Sequence, residues 1–337
     1  MTGMRYILFF VCLSLSIHSN QLFAQQTANA NALKYKIIYD DPNDLRRLFV
    51  HFQPIYADLA AINVTGGFGV EADYLHKNLF DITFAARTTY GKRFDISRDA
   101  ASRNGINDKS PVVHFMIDLI GTYHIKDFNK NSKSKVLLYS KRIKGRDWSS
   151  TVAKHAVIDS QVRQIIGGRL GVAYYTTTTD LNRALSDQNK ELLHSDGSPV
   201  LDDGLYTNVK AFMIGLGGSM SWYRNYSVEF ESRWDPAGDD LLITSYFDFL
   251  LAPSVIVDNL SIAGETINSN PIETTSVGFR AGVSGKFNRN LSWGYGAELG
   301  RRPGLKKRGF FFTVKMSFPL YGTKLDQKVA AVKSETK

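Results

Sequence analysis

Along much of the chain, large apolar side chains take every second position, and the residues between them are small, polar or charged. The pattern is clearest in the segment 291–320. In its first arm Trp293, Tyr295, Ala297 and Leu299 alternate with Ser292, Gly294, Gly296, Glu298 and Gly300. In its second arm Phe310, Phe312, Val314, Met316 and Phe318 alternate with Phe311, Thr313, Lys315 and Ser317. Side chains on a strand point to opposite faces in turn, so each arm has one greasy face and one small or polar face. Five large apolar groups on one face of a last strand suit lipid better than water. The pair therefore reads as the closing hairpin of a membrane-spanning β-barrel.

The same alternation recurs upstream. Phe68, Val70, Ala72 and Tyr74 face away from Gly67, Gly69, Glu71 and Asp73, and Phe80, Ile82, Phe84 and Ala86 face away from Asp81, Thr83, Ala85 and Arg87. Strands are expected over 48–62, 66–75, 79–90, 112–126, 162–176, 207–223, 226–234, 241–251, 254–262, 274–287, 291–300 and 310–320. This predicts an all-β fold, a transmembrane antiparallel up-and-down barrel of about 12 strands. The alternative is about 14, if 135–143 and 151–158 also span. Bacterial barrels keep both termini and the short turns on the periplasmic side. Counting back from the last strand places 301–308, 263–273, 235–240, 177–206 and 91–111 outside, and 76–78, 224–225, 252–253 and 288–290 inside. Residues 127–160 then become a periplasmic insertion in a barrel covering 48–320. A periplasmic segment (25–47) precedes the barrel and a polar tail (321–337) follows it.

The runs YFDFLLAP (246–253), VGFRAGVSG (277–285), YGAELGRRPG (295–304) and the terminal GFFFTVKMSFPL resemble uncharacterised outer-membrane β-barrel proteins of Gram-negative bacteria. The resemblance covers 48–320 and is one of pattern. It implies the barrel and its location, and it assigns no catalytic residue to any position.

The first 24 residues have the shape of an export signal. Arg5 supplies a positive start, Ile7–Ile17 is a mostly apolar run, and Leu22-Phe23-Ala24 forms a cleavage site before Gln25. The run is too short to span a bilayer core, which takes about 20 residues. The single cysteine, Cys12, leaves with the signal, so the mature chain is expected to lack disulfides and thiol chemistry. Glycine (27), tyrosine (16) and phenylalanine (21) are abundant against 9 prolines, as in outer-membrane barrels. The formal charge of +9 points to phosphate-bearing outer-membrane lipids as acidic partners rather than to nucleic acid, which an exported protein rarely meets.

Inward positions carry charges of both signs: Glu71, Asp73, Asp81, Arg87, Asp118, Arg169, Glu229, Glu231, Arg233, Arg280, Lys286, Glu298 and Lys315. They are expected to line the lumen. That lining suits a narrow conduit for small solutes, or a lumen packed by paired charges. A second feature is a basic run, Lys130, Lys133, Lys135, Lys141, Arg142, Lys144 and Arg146, with no acid among its residues. It reads as an attachment surface for a periplasmic or envelope partner, and hence supports a structural or docking barrel as the alternative function.

No cofactor or metal is expected, and the chain is expected not to be an enzyme, with a lipid-acting outer-membrane enzyme as a distant third reading. His114, Asp118 and His124 share one face of one strand, but they lie about 13 Å and about 20 Å apart along it, so any partners must come from other strands. Gly282-Val283-Ser284-Gly285-Lys286 echoes the end of a phosphate loop, yet it falls inside a strand and Phe287 stands where Ser or Thr belongs. The loop 177–203 holds six acids against Arg183 and Lys190 without a calcium-ligand run, and is expected to be solvated.

Overall fold

The computed structural model describes residues 35–76, 79–144, 149–200, 203–231, 236–289 and 292–325, with backbone alone at 139–144, 149–150 and 152–154. The expected export signal, with its cleavage site at Ala24, lies outside the described residues. Seventeen strands are present among the described residues. The first seven are β1 (Tyr35–Asp40), β2 (Leu48–Ala60), β3 (Val64–His76), β4 (Phe80–Thr89), β5 (Phe115–Lys144), β6 (Ser149–Asp180) and β7 (Tyr206–Arg224). Next come β8 (Tyr226–Phe230), β9 (Ala237–Asp239), β10 (Leu241–Val257), β11 (Leu260–Ile262), β12 (Glu265–Ile267) and β13 (Thr274–Thr275). The last four are β14 (Val277–Phe287), β15 (Gly294–Arg301), β16 (Gly304–Leu305) and β17 (Phe310–Gly322). Two helices, α1 (Ile96–Asn104) and α2 (Leu181–Gln188), sit in the loops.

Ten strands close into an antiparallel barrel in the order β10-β14-β15-β17-β2-β3-β4-β5-β6-β7. The final strand pairs with the first barrel strand, Phe311 opposite Ala60 and Phe318 opposite Phe52, so the wall has no free edge. Outward positions are large and apolar: Leu170, Leu216, Phe249 and Phe310 are each 60–64% exposed. Aromatic rings gather at both rims, with Phe68 and Tyr90 at one, and Tyr74 and Phe80 at the other. A wall that is apolar all round and girdled by aromatics is a membrane-facing surface, and the chain is a membrane β-barrel.

The strand count corrects the expected 12, and two segments account for the difference. Of the expected strand 226–234, the described residues 226–231 do not return through the barrel, and 232–234 lie outside the described residues. Asn225 donates from Nδ2 to the carbonyls of Asp41 (2.6 Å) and Asp44 (3.1 Å), which turns the chain out of the wall. β8 then pairs with β1 on one side and β9 on the other. Residues 254–262 are likewise no separate span. β10 runs on through Ala252-Pro253 to Val257, with a register shift between Leu251 and Ser254 that spares Pro253 a ladder bond. Beyond it β11 and β12 form a small hairpin clear of the wall. Residues 236–240 of the loop expected over 235–240 therefore lie at the end that carries the termini, and 252–253 is no turn. The alternative of 14 fails too, because 135–143 and 151–158 continue β5 and β6 rather than crossing again.

Those two strands are the longest in the fold. They stay paired from Phe115↔Thr176 to Lys144↔Ser149, yet β4 accompanies β5 only as far as Tyr123, and β7 accompanies β6 only from Val162. Past those points the hairpin leaves the wall, with up to about 70 Å of strand between Tyr123 and Lys144 at about 3.3 Å per residue. It does not stand alone. Val136, Leu138, Ala156 and Ile158 pack on Tyr226, Val228, Phe230 and Ala237 of the β1-β8-β9 sheet, forming an apolar core separate from the barrel. The Ser134 and Ser160 hydroxyls bond across the hairpin at 2.6 Å, and Asp40 accepts the Gln161 N–H at 3.0 Å.

Candidate functional site

The barrel interior is built from rows of side chains that run across neighbouring strands. One row reads Arg169 on β6, Gly217 on β7, Asp248 on β10 and Arg280 on β14, each directly opposite the next. Asp248 accepts from Arg169 Nε (2.9 Å) and from Arg280 Nε (2.8 Å). Gly217 makes this reach across two strands feasible: a Cβ there would lie 2.4 Å from Asp248 Oδ1. Arg280 also donates to Asp118 on β5 at 3.0 Å, and Asp118 takes a second guanidinium from Arg87 at 3.3 Å. Arg87 bonds Gln53 at 3.0 Å and approaches Glu71 at 3.5 Å, while Lys315 pairs with Glu71. Tyr246 donates to Glu298 at 2.7 Å and receives the Arg169 guanidinium on its ring at 4.2 Å.

Nearer the end with the termini, Lys286 pairs with Asp73 at 2.6 Å. The lumen floor beneath it is apolar, made of Phe49, Leu75, Ile165, Tyr223 and Leu242 with Leu45 against them. Leu45 belongs to the segment 41–47, which crosses that mouth. Arg46 donates to the Asn288 carbonyl at 2.7 Å and to the Thr323 carbonyl at 2.5 Å, and Asn288 Nδ2 bonds the Asp44 carbonyl at 2.9 Å. At the opposite end Asp58 holds Arg302, a loop residue that dips into the lumen, and accepts from Thr313 at 3.0 Å. Above them the loops fold inward. Leu181, Leu185, Leu192, Leu205, Leu260, Ile272 and Leu305 join Tyr175, Met213 and Phe311 in one buried cluster. The loop 177–203 is therefore partly a buried cap rather than wholly solvated, because the apolar face of α2 lies against the strands.

Between the two apolar ends lies a cavity of about 100 Å³, room for a few waters. Its lining includes Glu71, Asp73, Asp81, Arg87, Asp118, Arg169, Arg280, Lys286, Glu298 and Lys315. Nearly every charge has an opposite charge within ion-pair distance, which is how so many can be held away from water. Three residues expected in the lumen stand elsewhere or cannot be placed. Glu229 and Glu231 are exposed on or beside β8, because that strand belongs to the outer module and not to the wall. Arg233 lies outside the described residues.

Sequence reasoning missed Asp58, Asp248 and Arg302. Asp58 changes face because a bulge between Gln53 and Tyr56, at Pro54, shifts the parity of β2. Asp248 did carry a signal: an acid flanked by Phe247 and Phe249 in an outward-apolar strand must itself point inward. Arg302 had none, since loop residues follow no alternation.

His114 and His124 are both buried in the wall's inner face, and neighbouring strands do supply carboxylates. His124 Nε2 lies 3.1 Å from Asp81, and His114 Nε2 lies 3.8 Å from Asp58. Tyr56 stacks on His114 at 6.4 Å between centroids. Of the basic run, Lys130, Lys133 and Lys135 are exposed on the free hairpin. The side chains of Lys141, Arg142 and Lys144, and the whole of Arg146, lie outside the described residues.

No protein-family model matches the chain, and no curated protein does. Solved structures of Vibrio cholerae OmpT, an outer membrane protein, show a loose likeness. The in-vitro folded form has a TM-score of 0.19 at 9% identity, over 84% of this chain and 99% of that one. The outer-membrane expressed form gives 0.20 at 10% identity, over 84% and 100%. TM-scores this low assign no position and no activity. One expectation is nevertheless corrected. The exclusion of an enzyme does not stand: the neighbours carry the name OmpT and lend that exclusion nothing. Other strands bring Asp81 to His124 and Asp58 to His114, so the carboxylate partners that a single strand cannot supply are present.

Proposed function

We propose that this chain is an outer-membrane barrel with a lumen closed at rest, which works through the folded module at its periplasmic end. In bacterial barrels both termini lie in the periplasm, and the β5–β6 hairpin with its β1-β8-β9 support leaves the wall at that end. The observation that carries the reading is the module's own core, Val136, Leu138, Ala156 and Ile158 against Tyr226, Val228 and Phe230. Periplasmic turns are ordinarily short, and a turn that extends two barrel strands and builds a second core has a use beyond connection. Exposed Lys130, Lys133 and Lys135 give it a cationic surface, which suits an anionic envelope component held by salt-sensitive attraction.

Replacing 126–160 by a four-residue turn tests this. The expected result is a barrel that still folds, shown by its retarded mobility when unheated, but no longer co-purifies its envelope partner. Wild-type co-purification should fall as salt rises. Equal recovery of the partner by the shortened chain refutes the reading. A second reading, a gated narrow conduit for small solutes, is favoured by the charged, water-sized cavity between the two closed ends. Planar-bilayer recordings separate them: steady openings of the intact protein support the conduit, and a silent barrel supports docking.

A further inference from the structure

The rim opposite the termini carries a segment that neither reading uses. After β4 the chain runs Tyr90-Gly91-Lys92-Arg93-Phe94-Asp95-Ile96, with a single 3-10 turn over Lys92–Phe94 before α1. Tyr90, Phe94 and Ile96 are 52%, 55% and 58% exposed, unusual for three large apolar side chains in one loop. They continue a ladder of rings that climbs the outer wall. Phe52 to Phe68 is 6.3 Å between centroids, Phe68 to Tyr90 is 5.2 Å, and Tyr90 to Phe94 is 5.8 Å.

Lys92 and Arg93 stand exposed directly beside this ladder, with no ion pair among the described residues. The one acid within reach in sequence is turned away. Asp95 is fully buried and spends its oxygens on Asn63 Nδ2 (2.7 Å), the His114 N–H (3.1 Å) and the Arg98 N–H (3.3 Å). The turn is also fixed from below. Tyr90 donates its hydroxyl to the Pro54 carbonyl, and Asn63 accepts the Ser97 N–H at 3.0 Å. Two cations with no ion pair among the described residues therefore project from a backbone turn anchored at Tyr90 and Ser97, at the top of an aromatic ladder where the membrane wall meets the loops.

We infer that this is a binding site for the phosphate-bearing headgroup of an outer-leaflet lipid. Acyl chains would lie along Phe52, Phe68 and Tyr90, Phe94 would sit at headgroup level as interfacial aromatics do, and the phosphate would meet Lys92 and Arg93. A guanidinium presents a fork matched to phosphate oxygens, and an ammonium adds a mobile point charge. The inference rests on the wall spanning the outer membrane with the termini inside, and not on the docking module.

The test is native mass spectrometry of the full chain released from detergent with phosphatidic acid, phosphatidylcholine or inorganic phosphate. Phosphatidic acid should be retained about 30-fold better than phosphatidylcholine, the preference two basic residues at a membrane surface supply. The paired substitution Lys92→Gln and Arg93→Gln should bring that preference close to one while leaving unheated gel mobility unchanged, since both side chains are exposed and form no ion pair among the described residues. Phe94→Ser should weaken retention of both lipids alike. Equal retention of the two lipids by the wild type overturns the inference, as does a preference that survives the double substitution. Displacement of phosphatidic acid by millimolar inorganic phosphate also overturns it, by showing a free-anion site instead.

Discussion

Removing the carboxylate of Asp58 should be among the most damaging single changes in the barrel, and the geometry says by how much. Asp58 is 1% exposed and is the anion that Arg302, itself 5% exposed, rests against. Without it Arg302 keeps, among the described side-chain contacts, Thr313 Oγ1 at 3.2 Å and the face of Phe311 at 3.9 Å. A buried guanidinium stripped of its carboxylate costs about 3–5 kcal/mol, so Asp58→Ala should lose that much. Arg280→Met is the instructive contrast. Each carboxylate it leaves behind still has a cation: Asp118 keeps Arg87 at 3.3 Å, and Asp248 keeps Arg169 at 2.9 Å. Its cost should be nearer that of one charge-assisted bond, about 1.5–3 kcal/mol. Asp58→Ala combined with Arg302→Met removes both ends of a pair and should recover much of the single-variant loss. Equilibrium unfolding in urea of the barrel refolded into vesicles, followed by tryptophan fluorescence, measures all three at a common slope. The reasoning is refuted if Asp58→Ala falls within about 0.5 kcal/mol of wild type, the range of ordinary surface substitutions. A double variant no more stable than the single one refutes it equally.

Two further outcomes follow from the wall and the cap. Leu216, 64% exposed on the outer face of β7, should tolerate Met but lose about 2–4 kcal/mol on substitution by Arg, read in the same unfolding experiment; an unchanged midpoint would mean the position does not face lipid. In the cap, the Ser195 N–H (2.7 Å), with His194 Nδ1 (2.9 Å) beside it, holds the Glu265 carboxyl down at about 2. A depressed carboxylate contributes its stability in full above the ordinary value of 4.5 and loses it as pH falls toward 2. The Ser195 amide should therefore exchange hydrogen faster, after correction for intrinsic rates, as pH drops through that window. Glu265→Ala, which removes the acceptor, should exchange fast at every pH, and an amide equally protected at pH 3 and pH 6 in the wild type would contradict the assignment.

The barrel was legible because lipid on one side and a polar lumen on the other impose a period of two, which β3 obeys residue by residue and β4, β14, β15 and β17 follow over most of their length. Alternation cannot report what lies beyond each face. β8 alternates nearly as well as a wall strand, yet its buried side meets the free hairpin instead of the lumen. Nor can a proline announce whether it ends a strand or sits in a bulge. Pro54 and Pro253 both sit in bulges, and reading Pro253 as a turn added a strand that does not exist. The inner charges were individually readable from parity. Their pairing was not, because Asp118 and Arg280 meet across the barrel from positions 162 residues apart.

The strap over the mouth sets an order of events. Arg46 bonds the Asn288 carbonyl and the Thr323 carbonyl, partners 242 and 277 residues further along the chain. Neither acceptor is in place until β14 has turned into β15 and β17 has come back to lie against β2. Contacts between residues so far apart in sequence form late, since the loop between them must already be ordered. The strap thus acts as a latch on the seam: a barrel still missing its last strand has an unlatched mouth, and latching marks the molecule as complete.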